Sequence, residues 1–345
     1  MAGSRWPVAT VDDLADLAGL LDLSMGHLGW YADPAGMQRR NRVPALQLYR
    51  YRWLDRPGRA PRLLEVLKPR LRRAQRMLLD RIVGLVPAHA AAHGFVAGRS
   101  ARTGAAPHVG TDVVIGLDLA GFFGSVSAHR IYGILRVAGY PEAVAHIVTG
   151  LCTTATPIAV LGTMPPGGPV DDRYALRRAL TTPHLPQGAP TSPQLANLSA
   201  YRLDCRLAGL AAAVGATYTR YADDLSLSGG PEVARQTARI VGGVRRIVSD
   251  EGFRLNEGKT RVQPRAGRQT VTGIVVNERA NAARADYDRL RAILHNAART
   301  GAQGQNRGGH RDFRSHLLGR IAWVEALNPA RGRRLRADFD RIDWT

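Results

Sequence analysis

Apolar and polar positions along the chain alternate between two periods, one helical and one strand-like. Leu14, Leu17, Leu20 and Leu21 form a stripe within 10–24, with Thr10 as candidate N-cap and acidic residues in the first turn, which predicts a small amphipathic helix. Leu48–Trp53 switches to period two: Tyr49, Tyr51 and Trp53 share one face, Arg50 and Arg52 the other. Pro57-Gly58 marks a turn, and Leu71, Leu78, Ile82 and Leu85 resume a helical stripe with Arg70, Arg72, Arg73 and Arg76 off it. Val113–Leu117 is a short apolar run that reads as a buried strand ending at Asp118, followed by helical patterns at 128–138 and 142–151. Residues 157–172 are rich in Pro and Gly and read as an insertion or loop, and 185–193 are irregular. A helix is expected over 194–213, two short strands over 216–228, a helix from Pro231 to about 250, and a strand over 270–276. The stretch 284–344 reads as mostly helical. Strands and helices mix without a steady βαβ rhythm, so the expected class is α+β.

Composition adds a charge that folding does not need. Across 345 residues, 48 Lys+Arg stand against 28 Asp+Glu, a formal charge of +20. A soluble protein this basic usually meets a polyanion. The 45% hydrophobic content supports packed cores and excludes a disordered basic tail. The basic residues concentrate: 14 lie in 39–81, and 13 arginines face seven acidic residues in 284–344. Lys68 and Lys259 are the only lysines. A GC-rich genome would account for arginine in place of lysine better than for the surplus of basic over acidic residues. Cys152 and Cys205 are the only cysteines, which excludes a disulfide framework and a cysteine zinc site and fits a reducing cytoplasm. Asp12, Asp13, Asp16 and Asp22 interrupt any signal-peptide pattern, and no apolar run of about 18 residues suggests a membrane span.

Candidate chemistry centres on Tyr221-Ala-Asp-Asp224. Adjacent aspartates are ordinary in surface turns, but this pair sits between two apolar-patterned strands, and Asp118 ends a third. Carboxylates gathered at strand ends suit hard ions such as Mg²⁺. Two such ions can stabilise the attacking and leaving oxygens of phosphoryl transfer.

The order of motifs resembles the bacterial retron-type reverse transcriptases. Asp118-Leu-Ala-Gly-Phe-Phe-Gly-Ser-Val126 is similar to the family's first palm motif, and Leu185-Pro-Gln-Gly-Ala-Pro-Thr-Ser-Pro193 with Ala196-Asn197 to its second. Tyr221–Asp224 resembles the third, Gly252-Phe-Arg-Leu-Asn256 with Lys259-Thr260 the fourth, and Val271-Thr-Gly273 a retron signature. The resemblance runs over about 48–325. It implies a right-hand polymerase fold with an N-terminal helical segment (1–47), fingers (48–109), a first palm part (110–152) and a fingers-side insertion or loop (153–184). A second palm part (185–280) and a helical, RNA-binding thumb (281–345) complete it. It implies that Asp118, Asp223 and Asp224 hold two Mg²⁺ ions, with Mn²⁺ as a substitute, and that Lys259 lies near the leaving pyrophosphate. Arg62, Leu119, Phe123, Gln187 and Gly188 would contact the dNTP, Phe123 as a gate against a ribose 2′-OH. His108, Arg99, Arg307 and Arg320 would contact RNA.

Two departures stand out. Gly104 occupies the place of an Asn that retron enzymes carry ahead of His108, and Glu65-Val66 replaces a small residue and proline. The retron likeness implies a structured noncoding RNA, priming from a guanosine 2′-OH, and a short single-stranded DNA left joined to RNA. It also implies a role in antiphage defence with a separate effector protein. Two other readings stay open. One is a group II intron-like or non-retron defence reverse transcriptase, although the maturase and nuclease regions of intron proteins are not expected here. The other is a catalytically silent RNA-binding scaffold, against which the intact aspartates speak.

Overall fold

The computed structural model describes residues 6–41 and 43–344; Arg42, one of the basic residues of 39–81, lies outside them. The first helices are α1 (Leu14–Leu20) and α2 (Met25–Ala32). Asp13, not Thr10, caps α1, because its carboxylate accepts from the Ala15 and Asp16 amides. The aromatic-arginine alternation forms β1 (Tyr49–Leu54), which pairs antiparallel with β2 (Arg62–Leu67) around the Pro57-Gly58 turn. Next come α3 (Pro69–Arg81), shorter than its stripe suggested because the helix ends ahead of Ile82 and leaves Leu85 exposed, and α4 (Ala101–Ala105). Then follow β3 (Val113–Asp118), α5 (Ala128–Val137) and α6 (Glu142–Cys152), as expected.

The Pro/Gly stretch is not simply a loop. It holds α7 (Ile158–Gly162) and the start of α8 (Val170–Thr181), with Pro157 and Pro169 as the N-cap residues, where a missing amide costs nothing. The helix expected over 194–213 is two, α9 (Ser192–Ser199) and α10 (Tyr201–Ala213), broken at Ala200. After β4 (Thr217–Tyr221) and β5 (Asp224–Gly229), the helix from Pro231 is likewise two, α11 (Pro231–Arg235) and α12 (Thr237–Asp250). Then come β6 (Arg261–Pro264), and a small hairpin, β7 (Thr270–Val271) and β8 (Ile274–Val275), in place of one strand, because Thr272 and Gly273 both take positive φ. The chain ends in α13 (Arg284–Thr300), α14 (Phe313–Leu327) and α15 (Pro329–Phe339).

These elements make two units. The first comprises residues up to Val96, Leu119–Arg206 and Arg245–Leu255. It contains the β1–β2 hairpin and helical packing, including a cluster of Leu63, Leu161 and Leu180. The second comprises Ala97–Asp118, Leu207–Val244 and the chain from Asn256 onward. Its centre is an antiparallel sheet in the order β4-β5-β3-β6. The C-terminal helices bury Leu290, Leu294, Leu317, Ile321, Leu335 and Phe339 against one another. The architecture is α+β. Among the described residues, no helix is long and apolar enough to cross a membrane.

Candidate active site

Sheet register sets the acidic corner of the second unit. In the β3–β5 pairing Asp118 is the Cα partner of Asp224, so both side chains leave the same face of the sheet. Tyr221 pairs with Asp224 across β4–β5, which leaves Ala222-Asp223 as a two-residue hairpin turn. Ala222 adopts φ +55, a left-handed conformation that an L-residue takes at a cost. On the other side of β3, the turn Glu257–Lys259 leads into β6. There the Asn256 amide donates to the Asp118 carbonyl at 2.7 Å, and the Lys259 ammonium donates to the Asp118 carboxylate at 2.6 Å. Partial burial, then the charges of Asp223 and Asp118, push the Asp224 carboxyl up to about 6, against the pull of Lys259. Among the described residues, no three Asp, Glu, His or Cys side chains already stand at metal-ligand spacing. Instead, Asp118 is neutralised by Lys259. The mutual repulsion of the three carboxylates is nonetheless the electrostatic condition that draws in a hard cation.

The nucleotide-side candidates belong to the first unit. Arg62 opens β2 and is exposed. Three residues further along β2, on its buried face, the Glu65 amide donates to the Gln187 carbonyl at 3.1 Å, tying the irregular 185–193 stretch to the strand. The Ser192 hydroxyl closes that stretch onto the Pro186 carbonyl. Gly188 has φ +114, a conformation open only to glycine at little cost. Leu119 is buried, so only its backbone is available, and the neighbouring Ala120 amide donates to Arg254. Of the two phenylalanines, Phe122 is the core residue. Phe123 is half-buried, edge-on to Phe95 at 6.2 Å and to Phe122 at 5.7 Å.

The four RNA-contact candidates separate. His108 is corrected: it is fully buried, with Nδ1 against the Ser228 hydroxyl and Nε2 against the Thr219 hydroxyl, both at 2.7 Å. Both ring nitrogens are thus used inside the sheet, and the residue reaches no surface where RNA could meet it. Arg99 lies in the irregular segment just ahead of α4. Arg307 and Arg320 line one cavity among the C-terminal helices.

A family model described as reverse transcriptase (RNA-dependent DNA polymerase) matches residues 55–275. The chain is 45% identical over 275 residues to the retron Mx65 reverse transcriptase of Myxococcus xanthus, covering 79% of this chain and 60% of that protein. It is 37% identical over 352 residues to the retron Mx162 reverse transcriptase of the same organism, covering 97% and 68%. Identity to the retron Ec86 reverse transcriptase of Escherichia coli is 28% over 250 residues, covering 72% and 69%. The chain belongs to the retron-type reverse transcriptases.

Two features of this reverse transcriptase emerge only from the fold: a buried arginine beside the motif, and the partners of the Glu65 departure. Arg220, immediately before the Tyr-Ala-Asp-Asp motif, is fully buried and donates to the Ala222 carbonyl at 3.0 Å. It braces the turn that carries Asp223. The second is the departure at Glu65. Its carboxylate accepts from Thr156 Oγ1 at 2.8 Å and lies 2.9 Å from His184 Nε2, while His184 Nδ1 meets the Thr182 carbonyl at 2.7 Å. Burial lowers the His184 pKa, but the Glu65 charge and hydrogen bond outweigh it and hold the ring above its ordinary value. A proline's neighbour in the family pattern is here a buried acid with a buried partner. Only the odd Glu in an apolar strand signalled it.

Proposed function

We propose that the chain is an RNA-directed DNA polymerase that copies part of a cognate structured noncoding RNA into short single-stranded DNA, primed from a guanosine 2′-OH. The observation that carries this is the register that sets Asp118 opposite Asp224, beside Asp223, with Lys259 on Asp118. In this reading the four-stranded sheet is the palm, β1 and β2 belong to the fingers, and the C-terminal helices form the thumb.

The donor set fits a hard divalent cation such as Mg²⁺, with Mn²⁺ as an alternative, held by Asp118, Asp223 and Asp224. Bound there, two ions supply positive charge to the attacking hydroxyl and the leaving phosphate oxygens. The chain's own groups do the rest. Lys259, displaced from Asp118, carries a proton and a positive charge for the departing pyrophosphate. Arg62 offers a planar fork to the triphosphate. The Gln187-Gly188 backbone lines the nucleotide, and the Phe123 ring excludes a ribose 2′-OH. The priming hydroxyl forms a bond to the α-phosphorus while the bond to pyrophosphate breaks. Cytoplasmic residence, a role in antiphage defence and a separate effector protein belong to this same reading and rest on the motif resemblance alone.

The test is primer extension on an RNA template. Asp223→Asn with Asp224→Asn should abolish dNTP incorporation while RNA binding persists; continued synthesis overturns the assignment. Phe123→Ala should raise ribonucleotide incorporation about tenfold or more; an unchanged dNTP/rNTP preference removes it as the gate.

A further inference from the structure

Between α13, the loop 301–312 and α14 lies a cavity of about 460 Å³. That volume falls within the range of small-ligand sites. Its charge is of one sign. Arg289, Arg307 and Arg320 line it, and none of the described lining residues is acidic. None of the three guanidinium groups has a protein partner among the described residues. Three like charges brought together without a counter-charge raise the local potential and favour an anion.

The cavity also presents flat rings. His310 and His316 stack at 3.7 Å between centroids with planes 14° apart, and Phe313 lies within 15° of both. Three near-parallel rings beside three arginines match a phosphate attached to a planar base. Desolvation, then His310 and Arg320, holds His316 below its ordinary pKa, so its ring stays neutral at pH 7 and stacks as an aromatic. The platform is built into the backbone. The Asn306 amide donates to the His310 carbonyl at 2.8 Å and its oxygen accepts from the His310 amide at 2.9 Å. A Cβ at Gly308 would come within 2.7 Å of the His310 ring, so a larger residue there would have to push the ring aside. The side-chain amides of Asn296 and Gln305 supply donors and acceptors for a base edge.

We infer that this cavity takes one unpaired nucleotide splayed out of a folded RNA, its base stacked on the His310–His316–Phe313 rings and its phosphate held by the arginines. Unpaired bases stacked on aromatic side chains are the usual route to specific RNA recognition, since the major groove of an A-form duplex is too deep and narrow for side chains to read. The inference rests on the reading that the C-terminal helices meet RNA, and it narrows that reading to a nucleotide site.

The probe is an RNA hairpin carrying 2-aminopurine as a single-nucleotide bulge, beside the same hairpin with the base paired and a DNA hairpin of the same sequence. The full chain should bind the bulged RNA about tenfold more tightly than the paired one and quench its fluorescence. His310→Ala and His316→Ala should lose both the preference and the quench, and His310→Phe should restore them. Arg307→Ala, on an exposed loop, should weaken binding of the bulged RNA. Equal affinity for bulged and paired RNA in the unmodified chain overturns the site, as does an equal loss on both hairpins in His310→Ala. Equal binding of the bulged DNA overturns the assignment to RNA. No DNA synthesis is needed for this readout. A chain that extends primers yet ignores the bulge therefore disproves the site alone.

Discussion

Two ion pairs of similar chemistry serve opposite ends. In the first unit, Glu65 and His184 meet at 2.9 Å with side chains 1% and 2% exposed. Thr156 and Thr182 satisfy what the pair leaves over, so no atom is free for exchange. In the second unit, Asp118 and Lys259 meet at 2.6 Å with side chains 8% and 34% exposed. There the lysine reaches in from a turn that solvent touches, and two further carboxylates stand beside the acid. The sealed pair can only hold structure. In the proposed function the open pair trades its lysine for a metal ion, which would have a route in and an electrostatic reason to stay. Burial and completeness of the hydrogen bonding, more than the identity of the charges, separate a structural pair from one with chemistry.

The sharpest break of this comparison is Asp118→Asn. Primer extension should fall about 10³-fold or more, since several kcal/mol of charge stabilisation are lost, while the denaturant midpoint stays near that of the unmodified chain. A protein that unfolds instead would make both pairs structural. Glu65→Ala should do the reverse. Removing one partner of a sealed pair should cost about 3–5 kcal/mol of stability, and Glu65→Ala with His184→Ala should recover part of it, because no unpaired buried charge remains. Urea titration of the three proteins decides this, and additive losses would deny the pairing. Lys259→Ala should slow extension about 10–100-fold and shift stability by less than about 1 kcal/mol, as expected for a partly exposed lysine; an unchanged rate would leave it a surface charge. The smallest effect is in pH. The raised His184 pKa contributes stability that is fully present below about pH 6.5, the ordinary imidazole value, and is lost as pH rises through the folded value. The stability gap between the unmodified chain and His184→Gln should therefore narrow toward alkaline pH; a widening gap would reverse the sign.

Much of the acidic corner was legible because its strands are short apolar runs closed by aspartates. Both β3 and the β4–β5 hairpin lie where period and turn residues put them. The helix breaks at Ala200 and Gln236 were not legible, since both residue types are helix-compatible and the apolar stripe runs through them. Nor was the fate of His108. Its partners Thr219 and Ser228 lie more than a hundred residues away in sequence, and burial on both faces of β5 leaves no trace in an alternating Leu-Ser pattern. Arg220 was hidden for the same reason: an arginine at a strand end reads as solvated until the fold closes over it.

Each unit is assembled from three separate stretches of chain, and the stretches interleave. During synthesis, at about 5–20 residues per second, β3 emerges long before its partners β5 and β6. The strand that ends in Asp118 must wait as an unpaired apolar edge until Asp224 and then Arg261 leave the ribosome. Neither unit can be excised as one continuous fragment. A truncation before Arg261 would strip β3 of its β6 neighbour, which makes nascent-chain length a direct control on when that side of the sheet first exists.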